Sequence, residues 1–385
     1  MPLRFLFDAR HVRDFGFGTY IRNLLSGFAR LGAPDEFNLI VRPGDEEELA
    51  GLPPNFRIVP YSRPDTGLSE QVAFPWFVRS FHADLSHIPL NVVPAAMPKP
   101  YLVTVHDLSS LLFEPLPGWR QDLRLYRMRR GLMRAARVIA VSDSTRHDVE
   151  QLLGVPSARV QRIHGAPDPM FVPAPGAETA TAEERLRVLE RYDIHYPFLL
   201  YAGTIRPHKN IPRLVEAFAL LRGELEGHPT YNDLRLVIIG DVISRYPAVR
   251  RAVIQSRVES TVRFLGFVPS ETLRVLYAAA EAFVFPSLYE GFGMPPLEAM
   301  AAGTPVVASN VTSLPEVVGD AARLVSPENV FEIARGIRDV LLDQELRESL
   351  RQRGRERVQL FHWERTAKET LEIYYEMARA DRSPL

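Results

Sequence analysis

At 385 residues the chain is too long for one typical hydrophobic core and fits two domains of about 150 to 200 residues each. Hydrophobic residues make up 46% and charged residues 24%, as in a fully folded globular protein, and a formal net charge of −1 supplies no footprint for a nucleic-acid partner. Cysteine is absent, which removes disulfides, thiolate nucleophiles and Cys-based metal sites together. The first apolar run, LRFLF, is too short for a signal peptide, and no stretch approaches about 18 uninterrupted apolar residues, so a cytoplasmic location is expected. Among the 46 basic residues only Lys99, Lys209 and Lys368 are lysines, which singles each of them out.

Apolar runs at 3–7 (LRFLF), 37–41 (FNLIV), 101–105 (YLVTV) and 137–141 (RVIAV) alternate with helical patterns such as TYIRNLLSGFARLG. Strands buried on both faces with helices between them predict an α/β protein with a parallel, doubly wound sheet. After the first strand, DFGFGTYIRNLL opens a helix with Gly16, Phe17 and Gly18. It matches a dinucleotide fingerprint only in part, because Ile21 stands where the third glycine belongs. This G-x-G is either a loop on the acceptor or phosphate side or a plain turn. In YLVTVHDLS, His106 and Asp107 follow a strand, where a doubly wound half presents its ligands. The alternative for His106 is a core histidine satisfied by backbone.

Next, GWRQDLRLYRMRRGLMRAAR spaces Arg120, Arg124, Arg127, Arg130, Arg134 and Arg137 at three- and four-residue steps, beside an apolar stripe of Leu125, Met128 and Leu132. Segment 120–137 reads either as a peripheral contact with an anionic membrane, at the inner face, or as a solvated arginine surface. These elements fill a first domain, 1–172; a Pro- and Ala-rich start and a short charged helix mark 173–196 as a linker.

The pattern then restarts with FLLYAGT, LRLVIIG, VRFLGFV, AFVFPS, TPVVAS and AARLV across a second domain, 197–364. Two Rossmann-like halves facing across a cleft are expected, with an amphipathic helix at about 365–385 docking back on the first. In the second half, FPSLYEGFGMPPLEAMAAGTPVVAS (285–309) combines strand end, glycine loop and helix start. Proline suits a first helical turn, and Gly303 stops the helix. The loop Glu290-Gly291-Phe292-Gly293-Met294 therefore feeds backbone N–H groups and a positive dipole end that fit a diphosphate. Glu290 and Glu298 supply carboxylates that accept hydrogen bonds from vicinal sugar hydroxyls. The plain alternatives are a favourable helix first-turn charge for Glu298 and a tight turn for the loop. Arg206 and Lys209 lie at a second strand-to-helix junction, GTIRPHKN, placed to neutralise a leaving diphosphate.

These stretches, with VIAVSDSTRHDV, LGFVPSETLRVLYAAAEA and SLPEVVGDAA, resemble the retaining glycosyltransferases of family 4, which have the GT-B architecture, nearly end to end. The E-x7-E segment with its Gly-Phe-Gly carries the resemblance most specifically. It implies that Glu290 contacts the transferred sugar, Glu298 the ribose hydroxyls, and the amides of Phe292, Gly293 and Met294 the sugar and diphosphate. It also implies a phosphate-binding role for Lys209 and a sugar contact for His106. The chain departs from many members at Thr204, after Gly203, where they carry arginine; Arg206 or His208 is left to supply the second cation. The G-T-x-x-P-x-K-N form resembles a mannosyltransferase subgroup and points to GDP-mannose as donor, with a UDP-sugar next. The acceptor class is a hydroxyl on a glycan, a lipid-linked glycan or a small molecule. No Asp-x-Asp occurs in the sequence, so no metal and no other cofactor is expected. The rivals are a nucleotide-sugar epimerase or hydrolase of the same fold, a non-catalytic scaffold, and a dehydrogenase, the last disfavoured by the broken fingerprint.

Overall fold

The computed structural model describes residues 2–14, 16–63, 69–174, 177–241 and 243–382. It divides into two units, Met1–Gly165 with His362–Leu385, and Ala166–Phe361. Of segment 61–75 (YSRPDTGLSEQVAFP), residues 64–68 lie outside the described residues.

In the first unit the strands are β1 (Arg4–Asp8), β2 (Glu36–Val41), β3 (Phe56–Pro60), β4 (Leu85–Ile88), β5 (Tyr101–Val105), β6 (Arg137–Ala140) and β7 (Val160–Arg162). They form a parallel sheet in the order β3-β2-β1-β4-β5-β6-β7. Helices on both faces explain why β5 is buried throughout and reads as YLVTV. β3 ends in Pro60, which an edge strand tolerates.

The helix Trp363–Arg382 packs on the helix Phe17–Arg30 so closely that a Cβ on Gly27 would lie 2.7 Å from Cβ of Ala367. Its Tyr374 hydroxyl meets Nδ1 of the buried His87 at 2.7 Å, while Nε2 of His87 meets Oγ1 of Thr104 at 2.8 Å. Burial, with the nearby His106, pushes His87 down to about 3, so it stays neutral and uses both ring nitrogens in hydrogen bonds.

The arginine-rich segment differs from its sequence expectation. The helix runs Trp119–Arg134, and Arg137 begins β6, where it pairs with Glu376 at 2.6 Å. Its apolar stripe points inward: Met128 and Leu132 are buried and Leu125 packs against the same core.

The second unit carries β8 (Phe198–Ala202), β9 (Arg235–Ile239), β10 (Val262–Gly266), β11 (Ala282–Phe285), β12 (Val306–Ser309) and β13 (Ala322–Val325). Their parallel order, β10-β9-β8-β11-β12-β13, repeats that of the first sheet and reverses direction between β8 and β11. The helix Ala182–Arg191 lies within the 173–196 stretch. Its start is closed by a capping box between Thr181 and Glu184, and Arg274 pairs with Glu184 at 3.0 Å, so this stretch groups with the second unit.

Among the described residues, no helix is long and apolar enough to cross a membrane.

Candidate functional site

The sheet of the second unit brings together what the sequence kept 81 residues apart: β8 delivers Lys209 and the adjacent β11 delivers Glu290. Both follow the C-terminal ends of strands that flank the switch in strand order, where open α/β sheets bind ligands. Lys209 Nζ donates to Glu290 Oε1 at 2.6 Å and Oε2 at 2.8 Å, with both side chains largely buried. The same ammonium stands 5.4 Å from the centre of the Phe285 ring.

Several groups that the sequence reading passed over hold these loops in place. Asn210 takes a left-handed backbone, φ 61°, and its amide donates to the carbonyls of Pro286 (3.0 Å) and Pro327 (2.7 Å), tying the Lys209 loop to the β11 loop. Leu288 N–H donates to the His208 carbonyl at 2.7 Å and closes the same junction. Glu290 N–H donates to Thr312 Oγ1 at 3.1 Å, and the Ser313 hydroxyl donates toward the carbonyls of Glu290 (3.0 Å) and Phe292 (2.7 Å).

Gly293 caps the helix Met294–Ala301 at φ 115°, and a Cβ there would lie 2.8 Å from Leu314 Cδ2. Glycine is thus required twice over, by backbone and by packing. Gly291 is buried, and the Phe292 side chain turns inward against Phe361, ring centroids 5.7 Å apart. Pro295 and Pro296 carry no N–H, so the donors left at the helix start are the amides of Gly293 and Met294.

Glu298 lies in the second helical turn, with no acidic residue in the first, so a first-turn dipole charge does not account for it. Its carboxyl is buried and accepts from the Tyr277 hydroxyl at 3.2 Å. Burial raises it to about 8; the Tyr277 hydrogen bond opposes that rise and the Asp168 charge adds to it. At neutral pH Glu298 is therefore mostly protonated until a ligand offers hydroxyl donors.

Of the remaining cations, Arg206 is exposed while His208 is buried, so Arg206 is the one whose side chain reaches solvent beside Lys209. Gly203 adopts φ 151°, and the Thr204 carbonyl accepts from the Tyr201 hydroxyl at 3.1 Å.

The first unit builds its strand ends differently. His106 follows β5 between two aromatic edges, Phe17 at 4.9 Å and Tyr20 at 4.6 Å. One ring nitrogen bonds the Pro89 carbonyl, while Nε2 is enclosed with no partner among the described residues. A carbonyl only accepts, so Nδ1 carries the proton and Nε2 offers a lone pair. Burial pushes His106 down to about 4, with Asp107 and the Pro89 carbonyl opposing, which keeps the ring neutral. Asp107 is spent locally, accepting from Ser109 N–H at 2.8 Å and Oγ at 2.6 Å.

Gly16 caps the helix Phe17–Arg30 at φ 83°, and a Cβ on Gly18 would come within 2.2 Å of the Val12 carbonyl oxygen. Gly18 is thus required by close backbone packing and Gly16 by its positive φ, and Phe17 between them meets the His106 ring. Among the described residues, no group of three or more His, Cys, Asp or Glu is arranged to hold a metal ion.

Residues 188–357 match the family described as "Glycosyl transferases group 1", and residues 16–170 match "Glycosyltransferase Family 4". The chain is 35% identical over 309 residues to the O-antigen chain mannosyltransferase B of Escherichia coli, covering 78% of this chain and 76% of that protein. A serotype-specific mannosyltransferase of Escherichia coli, WbdA, is 32% identical over 271 residues, which are 69% of this chain and 32% of that much longer protein. Among solved structures, Anabaena HepE in complex with UDP-glucose superposes with a TM-score of 0.76 at 18% identity, covering 97% of this chain and all of that one, a likeness of fold.

Proposed function

The chain belongs to the family 4 glycosyltransferases, an enzyme family of GT-B fold, and we propose that it transfers mannose from GDP-mannose, with retention, to a hydroxyl of a glycan, lipid-linked or small-molecule acceptor. The observation that carries this reading is the Lys209–Glu290 pair at the switch between β8 and β11, with Glu298 buried behind the adjoining helix start. Mannose is favoured because the two Escherichia coli relatives described above are named mannosyltransferases; a UDP-sugar is the second candidate donor.

In this reading the second unit holds the donor. Glu298 accepts from the ribose hydroxyls, the amides of Phe292, Gly293 and Met294 meet the diphosphate and sugar, and Glu290 meets the transferred sugar. Lys209 and Arg206 neutralise charge on the departing diphosphate. Without donor, Lys209 spends its charge on Glu290, so diphosphate binding must redirect the ammonium toward the phosphate oxygens. Chemically, the bond between sugar C1 and the phosphate oxygen breaks. The acceptor oxygen bonds C1 on the same face, and its proton passes to the leaving phosphate oxygen, so no separate protein base is needed.

The first unit takes the acceptor beside His106, whose Nε2 lone pair accepts from a sugar hydroxyl. The acceptor itself belongs to the glycan, lipid-linked glycan or small-molecule hydroxyl class. The reaction is proposed to run without metal in the cytoplasm: activity that survives chelation agrees, and loss restored by manganese overturns the metal-free step.

The test is a thermal-shift panel of GDP- and UDP-sugars followed by transfer assays. A large shift with GDP-mannose, transfer to a glycan and an unchanged anomeric configuration support the reading. A shift confined to UDP-sugars replaces the donor. A free sugar or isomer as the only product moves the enzyme to hydrolysis or epimerisation.

A further inference from the structure

Behind the loop Glu290-Gly291-Phe292-Gly293-Met294 stands a short helix, Leu314–Val318, whose two ends are held by different parts of the chain. At its start the Ser313 hydroxyl reaches the carbonyls of Glu290 and Phe292. Leu314 and Val317 back Gly293, where a Cβ would come within 2.8 Å of Leu314 Cδ2 and 3.9 Å of Val317 Cγ1. At its other end the Arg357 guanidinium donates to the carbonyls of Val317 (2.9 Å) and Glu316. These are among the last carbonyls of the helix and find no N–H within it, so a cation there satisfies both the hydrogen bonds and the negative end of the dipole.

Arg357 belongs to the helix Gln344–Val358. Gly354, Arg357 and Phe361 follow at three- and four-residue steps, and each meets a part of the donor side. A Cβ on Gly354 would lie 3.2 Å from Cγ of Met300, in the helix that opens with Met294. Arg357 holds the short helix. Phe361, brought round by its N–H bond to the Val358 carbonyl (3.0 Å), is buried with its ring edge-on to Phe292 and 5.5 Å below the Arg357 guanidinium.

Neither Arg357 nor Phe361 belongs to the donor-binding set described above, yet both fix residue 292, one through its side chain and the other through its backbone. The second route works because a peptide unit is planar and trans: the Phe292 carbonyl and the Gly293 N–H share one plane and point opposite ways. Holding the carbonyl on Ser313 therefore aims the Gly293 amide away from the short helix. We propose that Arg357 and Phe361 are positioning residues of the donor site, which hold the Phe292–Gly293 peptide so that its N–H faces the sugar-side phosphate and thereby set affinity for that phosphate without touching it. This rests on the reading of 290–294 as the donor loop.

The experiment is titration calorimetry of the full chain with GDP and with GMP, which lacks the sugar-side phosphate. Arg357→Met and Phe361→Leu should each weaken GDP about tenfold, the scale of one misaligned hydrogen bond to a charged group, and leave GMP unchanged. Arg357→Lys, which offers one ammonium in place of the two-armed guanidinium, should recover part of the loss. Because Arg357 acts through Ser313, Arg357→Met should weaken GDP no further in a Ser313→Ala background. Equal weakening of GDP and GMP, unchanged GDP affinity in the variants, or additive losses in the Ser313→Ala background overturns the proposal. The melting temperature of each variant without nucleotide reports its folding separately, and the Arg357 variants carry the test if Phe361→Leu does not fold. If the parent binds UDP and not GDP, the GDP-mannose reading fails; the same comparison with UDP and UMP then decides the positioning role on its own.

Discussion

The two sheets share a strand order, yet their strand ends handle polarity in opposite ways. In the second unit the ends of β8 and β11 concentrate charge: a tight Lys209–Glu290 pair, exposed Arg206 and a carboxyl at Glu298 held near its titration point. In the first unit the end of β5 carries a neutral imidazole set between aromatic edges, with one nitrogen bonded and the other enclosed without a partner among the described residues. The difference follows from what each must meet. A diphosphate leaves with charge that fixed cations and amides stabilise, whereas a sugar hydroxyl needs one well-aimed acceptor.

The sharpest way to break this contrast is to remove the cation. Lys209→Met should lower transfer by about a hundred- to a thousandfold, the scale for losing one preorganised group at a developing charge. It also strands Glu290, so melting temperature should fall as well. Added salt should not restore the rate. His106→Phe keeps the aromatic packing and removes the acceptor lone pair; the expected loss is smaller, about tenfold to a hundredfold, in steady-state transfer. Because the ring stays neutral above about 4, the pH–rate profile should show no limb from His106 near 6.5. A limb there that vanishes in His106→Phe would erase the distinction between the two regions.

Glu298 gives a pH-dependent effect of intermediate size. Ribose hydroxyls donate to the ionised carboxylate, so donor binding must drive off the proton that Glu298 keeps up to about 8. Affinity should rise about tenfold per pH unit from 6 toward 8 and level off above; calorimetry should show proton release on binding, and Glu298→Gln should flatten the slope. Stability runs the other way. This carboxyl is raised above its unfolded value of 4.5, so its contribution is full below 4.5 and is lost as pH climbs through about 8. Glu298→Gln should therefore raise the melting temperature more at pH 8 than at pH 5. The smallest effect concerns the scaffold: Asn210→Ala, which loses two hydrogen bonds to buried carbonyls, should cost about 1–3 kcal/mol in chemical denaturation.

Much of this fold and site is legible in the sequence. Strands buried on both faces wrote themselves as LRFLF or YLVTV, and β11 and its loop were readable from FVFPS and the prolines that follow. β4 was hidden because Ser86 and His87 interrupt its apolar run, the His87 ring being satisfied inside the fold by Thr104 and Tyr374. β7 is three residues long, too short for a period. Lys209 stood out by its rarity and Glu290 and Glu298 by their spacing. Asn210 did not, because its partners lie 76 and 117 residues away, and neither did Thr312 and Ser313, whose work is to hold the backbone of another loop.

The division of labour between the two glutamates is the claim most exposed to test. Steady-state kinetics with varied GDP-mannose on Glu290→Gln and Glu298→Gln should separate them. The prediction is that Glu290→Gln lowers kcat with little change in donor KM, while Glu298→Gln raises donor KM with kcat nearly intact. Equal losses of kcat in both variants, or the reverse assignment, would contradict it.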